Sequence, residues 1–273
     1  MLTVQQDSQR TDQQLLQRFL MLREEAAFTT LVERHGPMVL GVCRSVLHHA
    51  QDAEDACQAT FLELARKASS IRKPTSLAPW LHGVAYRLAL RIKARRDRTS
   101  DLGVPPRPQP ALLDELTGRE LGQILHEELA LLPESYRLPL ILCYLEGLTR
   151  DEAARRLGWT AATLKGRVDR GRHLLRRRLE RRGLTLGLPL LLTSLSRNAV
   201  EAGVLAPVLG QTVRAAKRFL EGGGAEGNGS RASVLAKEWE KATWTLKLKV
   251  GASLVLAVGI LAGGAGLVLQ RYA

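Results

Sequence analysis

Apolar positions along the first hundred residues recur at helical spacing rather than in alternation. From Asp12 the pattern reads Leu15, Leu16, Phe19, Leu20, then Ala27, Phe28, Leu31 and Val32, one continuous amphipathic run. Gly36-Pro37 interrupts it and predicts a break, with a new apolar-faced helix from Met38 to Leu47. A third helix is predicted from Asp52 to Lys67, with Ala53, Ala56, Cys57, Thr60, Phe61 and Leu64 on its packed side. Pro74 and Pro79 bracket a short loop, and a long helix begins at Trp80-Leu81-His82. Beyond a proline-rich stretch, Leu121, Ile124, Leu125, Leu129 and Leu132 mark another helix, and 138–145 one more. With β-branched runs nearly absent and glycine and proline confined largely to linkers, the chain is predicted to be all-α.

Residues 149–182 carry the sharpest local signals. Thr149 with Glu152 three residues later forms a capping box that starts a short helix. Ala153 and Leu157 give that helix its apolar face, and Gly158 ends it. Thr160 caps a second helix on which Leu164, Val168, Gly171 and Leu175 share one side, while Lys165, Arg167, Arg170 and Arg172 lie opposite. Two short helices joined by a tight turn, one face packed and the other basic, suit the major groove of DNA.

Charge sharpens this expectation. The chain has a formal net charge of +13. Segment 150–182 holds twelve Lys/Arg against four Asp/Glu, and segment 87–98 holds six against one. These two blocks account for the whole excess, which points to two contacts on one polyanion rather than a uniformly basic surface. Cys43, Cys57 and Cys143 are scattered without CxxC spacing, which favours buried thiols over disulfides or zinc. The six histidines show no ligand spacing and no Gly-rich phosphate loop occurs, so no cofactor is expected and a metal-dependent nuclease is disfavoured.

Four prolines between 99 and 118 make that stretch a linker between two helical domains, 11–98 and 119–183. Its acidity is mild, with Asp101, Asp114 and Glu115 beside Arg107. Residues 184–249 comprise an apolar helical part and the Gly-rich spacer EGGGAEGNGS. Val250 to Leu269 is twenty residues without a charge, enough to cross a hydrocarbon core of about 30 Å as a helix. Lys241, Lys247 and Lys249 precede it and only Arg271 follows, so the expected orientation keeps the N-terminal domains in the cytoplasm, anchored to the cytoplasmic membrane. The N-terminus shows no basic stretch followed by an apolar run, hence no secretory signal.

Three stretches in order, DAEDACQATFLELARK at 52–67, PWLHGVAYRLALRIKARR at 79–96 and LPESYRLPLILCYLEGLTRDEAARRLGWTAATLKGRVDRGRHLLRRRL at 132–179, resemble bacterial RNA polymerase sigma factors of the extracytoplasmic-function group. The resemblance implies a region 2-like bundle at 11–98 and a region 4-like helix-turn-helix at 119–183, with core RNA polymerase and promoter DNA as partners. An anti-sigma factor would be a further partner. Such a protein directs transcription initiation and is not an enzyme. By the resemblance, Asp52, Glu54, Asp55 and Gln58, with Phe61 and Leu62, match the face that docks on polymerase. Trp80, Tyr86, Arg87, Arg91, Lys93, Arg95 and Arg96 match the element that meets the opened downstream promoter region, where aromatics stack on unpaired bases and cations hold phosphates. Thr163, Lys165, Arg167, Arg170 and Arg172 match the recognition helix for the upstream element. Carboxylates at 52–55 would also serve simply as favourable charges at a helix start, and Trp80 and Tyr86 would equally suit a core. A membrane-tethered helix-turn-helix regulator that does not join polymerase would need neither the acidic cluster nor the Trp80 block.

Overall fold

The computed structural model describes residues 10–47, 49–71, 77–100, 118–184 and 210–216, and every regular element among them is helical. The first unit contains α1 (Asp12–Leu22), α2 (Glu25–Val46), α3 (Ala50–Lys67) and α4 (Leu77–Ser100), with a short 3₁₀ turn at Ala68–Ser70. α2 is the central element and packs against each of the other three. Thr11 caps α1 through a reciprocal exchange with Gln14.

In this unit two breaks differ from the sequence expectation, and α4 begins at Leu77 rather than at Trp80. The apolar run from Asp12 to Val32 is not one helix: Arg23 turns left-handed at φ 51° and ends α1. Arg18 clasps Glu24 across this turn at 2.5 and 2.6 Å, and Phe19 stacks on Phe28 with ring centroids 4.4 Å apart. The reversal therefore folds two apolar faces onto each other. Conversely, Gly36-Pro37 does not break the chain, and α2 runs straight through it. Proline forfeits one backbone hydrogen bond there. Burial of Leu31, Val32, Met38, Val39 and Leu40 on both sides outweighs that loss. α3 follows expectation, with Ala53, Ala56, Cys57, Thr60, Phe61 and Leu64 fully buried. Pro79 sits in the first turn of α4, where its missing N–H would have had no partner anyway.

The second unit contains α5 (Gly118–Ala130), α6 (Glu134–Leu140), α7 (Arg150–Leu157) and α8 (Ala161–Arg181). α6 starts earlier than the 138–145 pattern suggested and widens at its end into a π turn over Ile141–Leu145, where Glu146 N–H reaches back to Ile141 at 3.0 Å. α6 lies on α8 so closely that a Cβ on Gly171 would stand 3.2 Å from the Tyr136 carbonyl and 3.1 Å from Leu140 Cδ1. Gly171→Ala is thus expected to lower stability by about 1–3 kcal/mol, measurable by thermal melting.

The two units are in contact. α5 packs on α2, and α6 also reaches α4. A helical turn at 210–216 buries Thr212, Val213 and Ala216. Among the described residues no helix is long and apolar enough to cross a membrane; 250–269 lie outside them. The linker at 99–118 lies outside them too, apart from its ends.

Candidate nucleic-acid interface

The helix-turn-helix is built by local hydrogen bonds that its sequence specifies. Thr149 Oγ1 accepts from Glu152 N–H at 3.3 Å while the Glu152 carboxylate accepts from Thr149 N–H at 2.8 Å. The Thr149 hydroxyl also donates to Glu152 Oε2 at 2.7 Å, and this bond together with that from Thr149 N–H holds the Glu152 carboxyl below its usual range. Gly158 adopts φ 65°; its N–H bonds to Arg155 and that of Trp159 to Ala154, which closes α7 with a Schellman turn. Thr160 Oγ1 then accepts from Thr163 N–H to start α8. Leu164, Val168, Gly171, Leu175 and Leu179 are buried along one side of α8.

On the other side Thr163, Lys165 and Arg170 are exposed, and Arg167 and Arg172 are half-buried. Among the described residues Lys165, Arg170 and Arg172 have no carboxylate partner. Their basic neighbours do: Arg176 bonds Glu180, Arg178 bonds Glu128, and Arg182 bonds Glu127. Arg178 and Arg182, which hold the end of α8 to α5, are thus distinct from the cations left facing outward. The Arg167 guanidinium lies 4.1 Å from the ring centroid of Trp159. Trp159 was not singled out in the sequence, although it is the aromatic that fills the turn. Stacking of this kind holds a guanidinium plane in one orientation before any ligand arrives.

α4 carries the second basic block. Arg87, Arg95 and Arg96 are exposed, Arg91 and Lys93 are half-buried, and Trp80 is half-buried against Ala59, Val84 and Leu88. Tyr86 is not available to bases in this arrangement. It is 6% exposed, and burial with Glu127 nearby pushes its hydroxyl up to about 12. Lys93 Nζ donates to Gln123 of α5 at 2.8 Å, so the second unit occupies it as well.

On α3, Asp52, Glu54 and Gln58 are half-buried, Asp55 and Leu62 are each 9% exposed, and Phe61 is fully buried. Phe61 therefore packs the bundle and does not reach the face that its neighbours form. Arg96 Nη1 donates to Asp52 Oδ2 at 2.8 Å, joining this face to the basic end of α4.

Between the units lies a buried charge cluster that sequence reasoning missed. His35 on α2 faces Glu146 Oε1 through Nδ1 at 2.5 Å and Asp12 Oδ2 through Nε2 at 3.2 Å. Arg156 on α7 donates to Asp12 at 2.9 and 3.0 Å and to Glu146 at 3.2 Å, and Arg34 donates to Asp12 at 2.6 Å. Burial works against the charge on His35, but Glu146 and Asp12 outweigh it and raise its pKa to about 9. Burial likewise opposes ionisation of Asp12, yet His35, Arg156 and Arg34 hold its carboxyl far below the usual range. A second contact sets His82 Nε2 of α4 3.1 Å from His126 Nδ1 of α5. Burial keeps both neutral, with His126 lowered to about 4 and His82 lowered further by His126, Arg137 and Arg87. Cys43 and Cys57 are buried, and burial raises both thiols, as expected for inert packing residues. Among the described residues no three His, Cys, Asp or Glu side chains are arranged to hold a metal ion.

Each of the two helical units contains a match to a known family model. The sigma-70 region 2 model matches residues 31–99 and the sigma-70 region 4 model matches 122–175. The ECF RNA polymerase sigma factor SigE of Mycolicibacterium smegmatis is 30% identical over 156 residues, covering 54% of this chain and 59% of SigE. The RNA polymerase sigma-H factor of Pseudomonas aeruginosa is 26% identical over 190 residues, covering 63% of this chain and 96% of that protein. The sigma factor RpoE of Bartonella quintana, solved in complex with the anti-sigma factor NepR, is 24% identical at a TM-score of 0.27, covering 56% of this chain and 96% of that one. That superposition carries no structural argument. Over its two helical units the chain thus matches sigma-70 regions 2 and 4 and is similar to ECF RNA polymerase sigma factors, and these matches support a sigma factor that directs transcription initiation.

Proposed function

We propose that α8 reads the upstream promoter element through Thr163, Lys165, Arg167, Arg170 and Arg172. In the same reading α4 holds the opened downstream strand through Trp80, Arg87, Arg91, Lys93, Arg95 and Arg96, and α3 docks on core RNA polymerase through Asp52, Glu54, Asp55, Gln58 and Leu62. The observation that carries the reading is the division of cations on α8, with the inner ones neutralised by α5 and the outer ones unpaired among the described residues. Lys93 is bonded to Gln123 of the second unit, so its engagement with promoter DNA requires the two units to part there.

Arg167→Ala tests base reading. It should cost roughly 1–3 kcal/mol on a cognate promoter fragment and relax preference at one position. Equal losses on every promoter variant would make Arg167 a phosphate clamp. Retention of core polymerase by the full chain, followed by transcription of genomic fragments, tests the role as a whole and separates it from a regulator that binds DNA alone.

The proposal extends to the membrane. Residues 250–269 are long and uncharged enough to span, and Lys247 and Lys249 place the DNA-binding units on the cytoplasmic side. The full chain should fractionate with membranes and require detergent for release, whereas a 1–240 truncation should not. Full-length protein that stays in the aqueous fraction would overturn the anchor.

A further inference from the structure

The helical turn at 210–216 lies on the face of α3 assigned above to polymerase. Gln58 Nε2 donates to Gln211 Oε1 at 2.8 Å. Ala215 packs on Leu62, and Val213 and Ala216 join the main core, with Ala216 fully buried. Thr212, Val213 and Ala216 are buried, so this segment is held in place by what it docks on. Among the described residues its apolar contacts are alanines and one valine, small side chains that bury little area and contribute weakly one by one. Residues 185–209 join it covalently to the second unit, however, and covalent attachment makes the contact intramolecular, with an effective concentration that can reach the order of millimolar. A weak ligand at such a concentration occupies its site and still yields to a tight competitor.

We infer that 210–216 is an intramolecular competitor of core RNA polymerase: it covers Gln58 and Leu62 in the free protein and must leave before α3 can dock. The inference rests on the proposed role of α3. The turn buries Leu62 to 9% exposure, and a side chain withdrawn in this way cannot touch a second protein while the turn remains. Within the sequence, the segment lies outside both matched sigma regions, so polymerase docking can be governed here without altering the docking face itself.

The test uses the full chain. Val213→Asp with Ala216→Asp places two charges in the buried contact and should release the turn. Affinity for purified core polymerase should then rise at least tenfold, and a Leu62→Cys reporter should react with a maleimide correspondingly faster. Should that pair impair folding of the units, Ala215→Arg acts at a half-buried position directly against Leu62 and should give the same gain. Leu62→Asp in the released background separates the two readings. Unchanged or reduced affinity on release, together with a tenfold loss from Leu62→Asp, would overturn masking and leave α3 as the dock. Unchanged affinity in both would remove the polymerase role of α3, and the inference with it.

Discussion

Arg156→Met is expected to weaken the contact between the two units by about 3 kcal/mol, the lower end of the cost of breaking a buried charge pair. Arg156 bridges Asp12 and Glu146, whose side chains are each 3% exposed. Without it, Glu146 keeps only His35 within the cluster, and Asp12 keeps Arg34 and His35. Those remaining partners are why the loss stays below the maximum. The second unit should separate earlier in a thermal melt, and the distance between fluorophores placed on the two units should lengthen. Adding Asp12→Asn to Arg156→Met should recover part of the loss, since neighbouring members of one network are not additive. A double variant that merely sums the single losses would show that the two residues do not act as a pair.

Closure should also be strongest near pH 6.5 and fall on either side. His35 is raised from 6.5 to about 9 in the closed form. A group whose pKa is raised gives its full stabilisation below 6.5 and loses it as the pH climbs through about 9. That shift is worth roughly 3 kcal/mol at about 1.36 kcal/mol per unit. His82 and His126 behave oppositely. Their lowered values mean that closure is favoured above 6.5 and is lost as the pH falls towards about 4, where His126 gains its proton against burial. Melting across pH 4–10 should therefore trace a maximum. His35→Gln should flatten the alkaline limb, and His126→Gln should reduce the acid one to the part that His82 contributes, each leaving the other limb in place.

What was legible in the sequence was local. The helix-turn-helix could be read because Thr149, Glu152, Gly158 and Thr160 act within a few residues, and their hydrogen bonds are those that their spacing requires. The packed face of α3 was equally clear from period alone. Pro37 misled because local cost was visible and tertiary burial was not. Arg23 misled in the opposite sense, since nothing in the apolar period announces a left-handed residue. Asp12 and Arg156 stand 144 residues apart, and no spacing rule couples them. Trp159 and Tyr86 show the same limit for aromatics. Period places a ring on a helix or in a turn, but only the packed units decide that one steadies Arg167 while the other is enclosed.

The ion pair between Asp52 and Arg96 ties two ligands together. Each charge is committed to the other in the free protein, at 2.8 Å. Under the proposed roles, polymerase takes the carboxylate and promoter DNA takes the guanidinium. Whichever arrives first ruptures this pair, so the second ligand no longer has to break it. By thermodynamic reciprocity the help is equal in both directions. Its ceiling is the strength of an exposed pair, at most about 1 kcal/mol, or roughly fivefold in affinity. That is small beside the recognition energies on either side, yet it favours the ternary assembly over either binary one, and added salt should erode it first.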